Sequence, residues 1–234
     1  TKSFDAANAV KSVVHKLHRG AVVVLLTNGM GVLEDVLAQP DVMERAPQLV
    51  VGTNSNGSYM TREFDVVHAG RGQVWMGCIG NRCSPSSFQV ALSSLQKSGL
   101  GVERDEHIEI SLWKKLACNS SLNPITALAK CKNGQTLSRP ELQDAINSVC
   151  EEVAALMVHC AIVKDADSKL LASQLVEFTV DVAARNANNY SSMYQDVQHM
   201  RRTEIDFMNG YIMSKAKAEG LPVPTTALLY GLIK

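Results

Sequence analysis

Ala21-Val-Val-Val-Leu-Leu-Thr-Asn-Gly-Met-Gly31 is the stretch that decides the class of fold. Its first six residues are apolar without alternation and rich in β-branched side chains, the pattern of a strand buried on both faces of a parallel sheet. Upstream, Val10, Val13, Val14 and Leu17 recur at helical spacing and Gly20 follows as a stop, which predicts an amphipathic helix over residues 5–19. Downstream, a short helix near residues 33–37 and a second apolar run, Leu49-Val50-Val51-Gly52, continue the alternation that marks α/β architecture. Residues 57–80 change character. Short alternating pieces such as Asp65-Val-Val-His68 and Gln73-Val-Trp-Met76, punctuated by glycine, predict antiparallel hairpins. A helix over 84–95 and a strand near Val102 close this half. Beyond residue 106 only helical patterns occur, over about 108–122, 124–131, 138–161, 167–187 and 192–219, with a short one after Pro224. The expected fold is therefore α/β plus all-α: a domain over 1–106 and a helical domain over 107–234.

The 234 residues carry 23 basic and 23 acidic side chains, so no summed charge attracts phosphates or an anionic membrane. Neither nucleic acid nor a membrane is expected as a partner. The longest apolar stretch, residues 21–26, falls far short of the roughly 20 needed to span a bilayer. Six cysteines without a C-x-x-C pair, several inside apolar segments, predict buried thiols in a reducing, cytoplasmic compartment. The first residue is Thr1 with no leader-like segment after it, so the native start is expected to lie elsewhere.

Chemistry concentrates in Lys115-Leu-Ala-Cys-Asn119-Ser-Ser-Leu-Asn123-Pro-Ile-Thr-Ala-Leu128. On a helix, Lys115, Asn119 and Asn123 are successive i,i+4 neighbours and form one polar stripe. One ammonium and two carboxamides suit a small polyoxygenated anion, with the ammonium as a proton donor. A solvated helix face ending in an Asn cap would read the same way. Ser192 with Gln195 fits a capping box, and Glu204 is expected to pair with Arg201 one turn before it on a helix running through 192–219. Gly29-x-Gly31 follows a buried strand, but Glu34 stands where a dinucleotide fingerprint needs a small residue, and a carboxylate there repels a pyrophosphate. Asn28 reads instead as a polar group at the carboxyl edge of a strand. His68, His107 and Glu109 lack a second pair at ligand spacing, so no metal is expected.

Taken in order, the Lys115 to Leu128 run, Asn133-Gly134, Ser191-Ser192-Met193 and Arg202-Thr-Glu204-Ile-Asp206 resemble the helical domain of the ketopantoate reductase family. Lys2 and Asn28-Gly-Met-Gly31 resemble the later part of its Rossmann domain. The resemblance implies NADPH-dependent reduction of 2-dehydropantoate to (R)-pantoate, toward pantothenate and coenzyme A. It implies Lys115 as proton donor and Glu204 as the partner of the substrate hydroxyl. Asn119, Asn123, Asn133 and Ser192 become substrate ligands, and Asn28 and Lys2 lie where NADP meets substrate. The family's G-x-G-x-x-G does not occur in these residues, so the first domain is expected to be an incomplete Rossmann-like one. The alternatives are a non-catalytic remnant that binds ligand or dimerises, and a reductase of another branched 2-oxo acid. The expected partners are a 2-oxo acid and a second copy of the chain in a homodimer.

Overall fold

A computed structural model describes residues 1–62, 64–164 and 166–234 and divides the chain into two compact units, Thr1–Leu112 and Trp113–Lys234. In the first unit, α1 (Ser3–Val14) buries Ser3, Ala6, Val10 and Val14, spaced three and four apart, against α2 (Val32–Leu37) and α3 (Pro40–Arg45). The helix expected over 5–19 thus starts earlier and stops at Val14. Turn bonds from Lys16 N–H to Val13 O and from Leu17 N–H to Val14 O tighten its end, and Val13 stays 44% exposed.

The main sheet has the order β1 (Val22–Leu25), β2 (Gln48–Asn54), β5 (Val74–Gly77), β6 (Val102–Arg104). β1 pairs parallel to β2, β2 antiparallel to β5, and β5 parallel to β6. Among the described residues β1 has one strand neighbour, β2, and Leu25 is its buried residue. The reversal at β5 comes from the excursion of β3 (Gly57–Arg62) and β4 (Asp65–Gly70), an antiparallel pair. Its base is closed by Ser55 N–H to Gln73 O at 2.9 Å and by Gln73 N–H to Ser55 Oγ at 2.8 Å. Val50, Val74, Met76 and Val102 form one apolar cluster with Phe88 and Leu92 of α4 (Pro85–Gln96). His68, at the margin, hydrogen-bonds Asn56 Oδ1 through Nε2 at 3.2 Å.

The contact units divide at Leu112/Trp113, inside α5 (Ile108–Leu128). The first turn of α5 is tied back to Asp105 by Ser111 Oγ at 2.5 Å and His107 N–H at 2.8 Å, and so stays with the sheet. α5 runs unbroken through Pro124, where two helices were expected. The rest of the second unit is α6 (Pro140–His159) packed on α7 (Ser168–Arg185), then α8 (Ser192–Gln198), α9 (Asn209–Ala218) and α10 (Pro224–Ile233). Short 3-10 helices lie at Asn133–Ser138 and Ile205–Phe207. Among the described residues no helix is long and apolar enough to cross a membrane.

Residues 192–219 are therefore not one helix. α8 ends in a Schellman-type turn, with Met200 at φ 53° and Arg201 N–H donating to Asp196 O at 2.8 Å. A residue other than glycine fills the left-handed position. α10 is clasped at both ends. Glu152 of α6 accepts from Thr225 N–H at 2.7 Å and Thr226 N–H at 2.9 Å, acting as a cap from a distant helix. Tyr230 Oη and Lys234 Nζ donate to Asp206 at 2.8 and 2.6 Å. Glu152→Ala should lower unfolding stability by about 1–2 kcal/mol, since it strands two helix-end donors. An unchanged urea midpoint would show that this helix end is satisfied without Glu152.

Candidate active site

Lys115, Asn119 and Asn123 lie on one continuous α-helix at i,i+4 spacing. Lys115 and Asn119 are partly buried, and Asn123 is 8% exposed. Burial lowers the Lys115 ammonium to about 8, against the opposing pull of Cys118 and Glu204, which favour the charged form. Glu204 is 4% exposed and stands at the start of the 3-10 helix Ile205–Phe207. A lysine and a carboxylate far apart in sequence thus meet in the helical unit. Burial pushes the thiol of Cys118 up to about 12 and that of Cys150 to about 11, so neither competes with Lys115 as an acid near neutrality.

Arg201 does not pair with Glu204, as the helical spacing predicted. The turn at Met200 swings it onto Asp196, 3.2 Å from its Nε. The cap of α8 is also one residue earlier than expected. Ser191 Oγ accepts from Tyr194 N–H at 3.1 Å, and Ser192 is left exposed as the first helical residue. Ser191 also bridges to α5: it accepts from Thr126 Oγ1 at 2.8 Å and donates to Asn123 O at 3.5 Å. This buried hydroxyl pair pins the segment carrying Ser192 to the helix that carries Lys115, Asn119 and Asn123. Nothing local in Ser191-Ser192 marks which serine does it.

Asn133 opens a 3-10 helix and is 7% exposed. Its N–H donates to Asn189 O at 3.0 Å and its Nδ2 to Asn186 O at 3.4 Å, while Oδ1 has no partner among the described residues. Gly134 follows because the backbone here presses on the next segment: a Cβ would lie 2.5 Å from the Cβ of Ala187. Gly134 N–H also donates to Ala187 O. The Asn-Gly pair is thus a tie to the loop that leads into Ser191.

Lys2 and Asn28 belong to the first unit. Lys2 precedes α1, and its neighbour Ser3 donates through Oγ to Asn28 O at 2.5 Å, which brings the two residues together beyond the carboxyl end of β1. Gly29 (φ 75°) and Gly31 (φ 96°) both take left-handed conformations, which explains them as turn glycines. Glu34 and Asp35 occupy the first turn of α2, and burial followed by the Glu34 charge raises the Asp35 carboxyl above its usual range. Two carboxylates therefore stand in the helix turn that follows these glycines.

The family model described as ketopantoate reductase PanE/ApbA C terminal matches residues 107–234, and that described as ketopantoate reductase PanE/ApbA matches residues 1–81. The 2-dehydropantoate 2-reductase of Vibrio cholerae is 32% identical over all of this chain and 74% of its own length, and that of Archaeoglobus fulgidus is 29% identical over 73% of its length. Among solved structures, a PanE/ApbA family ketopantoate reductase from Ralstonia eutropha superposes with a TM-score of 0.81 at 23% identity, covering this chain fully and 72% of that one. A D-mandelate dehydrogenase complex with NADH and anilino(oxo)acetate gives 0.85 at 20%, covering this chain fully and 72% of its own. The helical domain, the order of its motifs and relatives aligned from end to end place this chain in the ketopantoate reductase family.

Proposed function

We propose that the chain performs the substrate side of an NADPH-dependent reduction of 2-dehydropantoate to (R)-pantoate. The observation that carries this reading is the buried Lys115–Glu204 neighbourhood at the head of the Asn119–Asn123 stripe. Relatives named 2-dehydropantoate 2-reductase, aligned over the whole chain, support it. Lys115 Nζ gives its proton to the ketone oxygen as that oxygen gains charge. Asn119, Asn123, Asn133 and Ser192 bond substrate oxygens, and Glu204 accepts from the substrate hydroxyl. Lys2 and Asn28 stand on the nicotinamide side. The first unit acts as the cofactor domain and the second as the substrate domain. The 234 residues hold no G-x-G-x-x-G, and the helix after the 29–31 turn opens with Glu34 and Asp35, so the phosphate half of NADPH finds no cradle in them. The reading extends to a homodimer, on the precedent of the dimeric ketopantoate reductase from Staphylococcus aureus, whose fold this chain shares at a TM-score of 0.79. Six free thiols suit a reducing cytoplasm.

NADPH oxidation dependent on ketopantoate, measured on the longest form that the gene encodes, tests the function. No ketopantoate-dependent oxidation would overturn it. In calorimetry the 234 residues alone should bind NADPH more weakly than about micromolar, because the backbone cradle that normally holds the pyrophosphate is missing. Tighter binding would assign a phosphate site to the 29–31 turn.

Lys115 must be protonated to act as the acid, and its pKa is about 8. The charged form prevails below that value, so kcat/KM for reduction should be flat there and fall about tenfold per unit above it. Lys115→Ala should lower turnover by about 10²–10⁴-fold and abolish that limb. A variant with near-normal kcat would remove Lys115 from the reaction.

Glu204 should act through the substrate hydroxyl. Glu204→Ala should cut kcat/KM far more for ketopantoate than for its deoxy analogue 2-oxoisovalerate, because only the former supplies a donor to a buried acceptor. Equal losses on both would show that Glu204 does not read the hydroxyl.

A further inference from the structure

Pro124 has no N–H, so the i−4 carbonyl, that of Ser120, loses its regular helical donor in the middle of a helix buried on most sides. Ser120 lies between Asn119 and Asn123. Its carbonyl accepts instead from Nδ2 of Asn209, 89 positions away, at 3.0 Å. Asn209 is fully buried, and the same nitrogen donates to Thr226 O at 3.4 Å, so its two N–H groups are spent on two backbone carbonyls. Those carbonyls fix which end of the amide is which, since a carboxamide oxygen there would face two acceptors. Oδ1 of Asn209 is buried with no partner among the described residues, so the two bonds that Nδ2 donates are what offset the cost of burying the amide. Asn209 thus stands in for a backbone donor and joins α5 to the start of α10, which Glu152 caps.

We propose that Asn209 is a positioning residue for the substrate stripe. Its amide replaces the hydrogen bond that Pro124 deletes, and so holds Asn123 in register with Lys115 and Asn119 across the weak point of α5. The proposal rests on the substrate reading of that stripe. It implies that the need for Asn209 is created by the proline, which a simple packing role would not share.

The test is a double-mutant cycle of Asn209→Leu and Pro124→Ala, in which alanine returns an N–H to the Ser120 carbonyl. Melting midpoints are compared first, and kcat and KM for ketopantoate are then measured well below every midpoint, where all variants are folded. Asn209→Leu alone should lower kcat/KM by about ten- to a hundredfold, the scale of misplacing a substrate group by an ångström. In the Pro124→Ala background the same substitution should cost several-fold less in kcat/KM and less in melting midpoint. Equal losses in the two backgrounds would overturn the proposal, as would coupling in melting without coupling in kcat/KM. If Asn209→Leu alone does not fold, recovery of folding and turnover in the double variant supports the proposal, and failure of both overturns it. Lack of wild-type turnover would count against the substrate reading, whereas the melting cycle still decides whether Asn209 repairs the helix.

Discussion

A helix enclosed by protein must satisfy its backbone without water, and α5 has to do so with a proline inside it. Most of its second half, from Ser120 to Ala127, is buried, including the hydroxyls of Ser120, Ser121 and Thr126. Two of these fold back onto the helix: Ser121 Oγ lies 2.8 Å from Ala117 O, and Thr126 Oγ1 2.8 Å from Leu122 O. Ser120 Oγ has no partner among the described residues, whereas the Ser120 carbonyl takes Nδ2 of Asn209 and Thr126 Oγ1 also lies 2.8 Å from Ser191 Oγ, contacts that tie α5 to the starts of α9 and α8. The polar content of the helix is therefore what organises the second unit as well as what would hold substrate.

Local chemistry made much of this visible in the sequence. The run from Ala21 is a strand, and the i,i+4 spacing of Lys115, Asn119 and Asn123 is a stripe on a helix. The errors share a cause: long-range partners or unusual backbone override the local rule. Pro124 looks like a helix end because its compensating amide is distant in sequence. The 192–219 segment looks continuous because the left-handed residue that stops α8 is a methionine, with no glycine to announce it. Helical spacing in consequence points Arg201 at Glu204 although it pairs with Asp196, and it points to Ser192 as the cap although a buried threonine on another helix selects Ser191. The lowered pKa of Lys115 was not legible either, since desolvation depends on what surrounds the ammonium in space.

The same enclosure gives the lysine its chemical character. An exposed ammonium would stay charged far above neutrality and hold its proton tightly. Removing water brings Lys115 to about 8, against the opposing pull of Cys118 and then of Glu204. Burial and a carboxylate, acting in opposite directions, leave a group that is still mostly protonated at neutral pH and able to release that proton.

The bond between Asn209 and the Ser120 carbonyl also has an evolutionary reading. So long as position 124 is proline, position 209 must supply an N–H donor, and few side chains of that size can. A lineage that replaced the proline would release position 209 from that demand, whereas one that changed 209 first would carry an unsatisfied carbonyl in the middle of α5. The two positions should therefore change in a preferred order, proline first. A residue with no contact to substrate would owe its persistence to another position's lack of a single hydrogen.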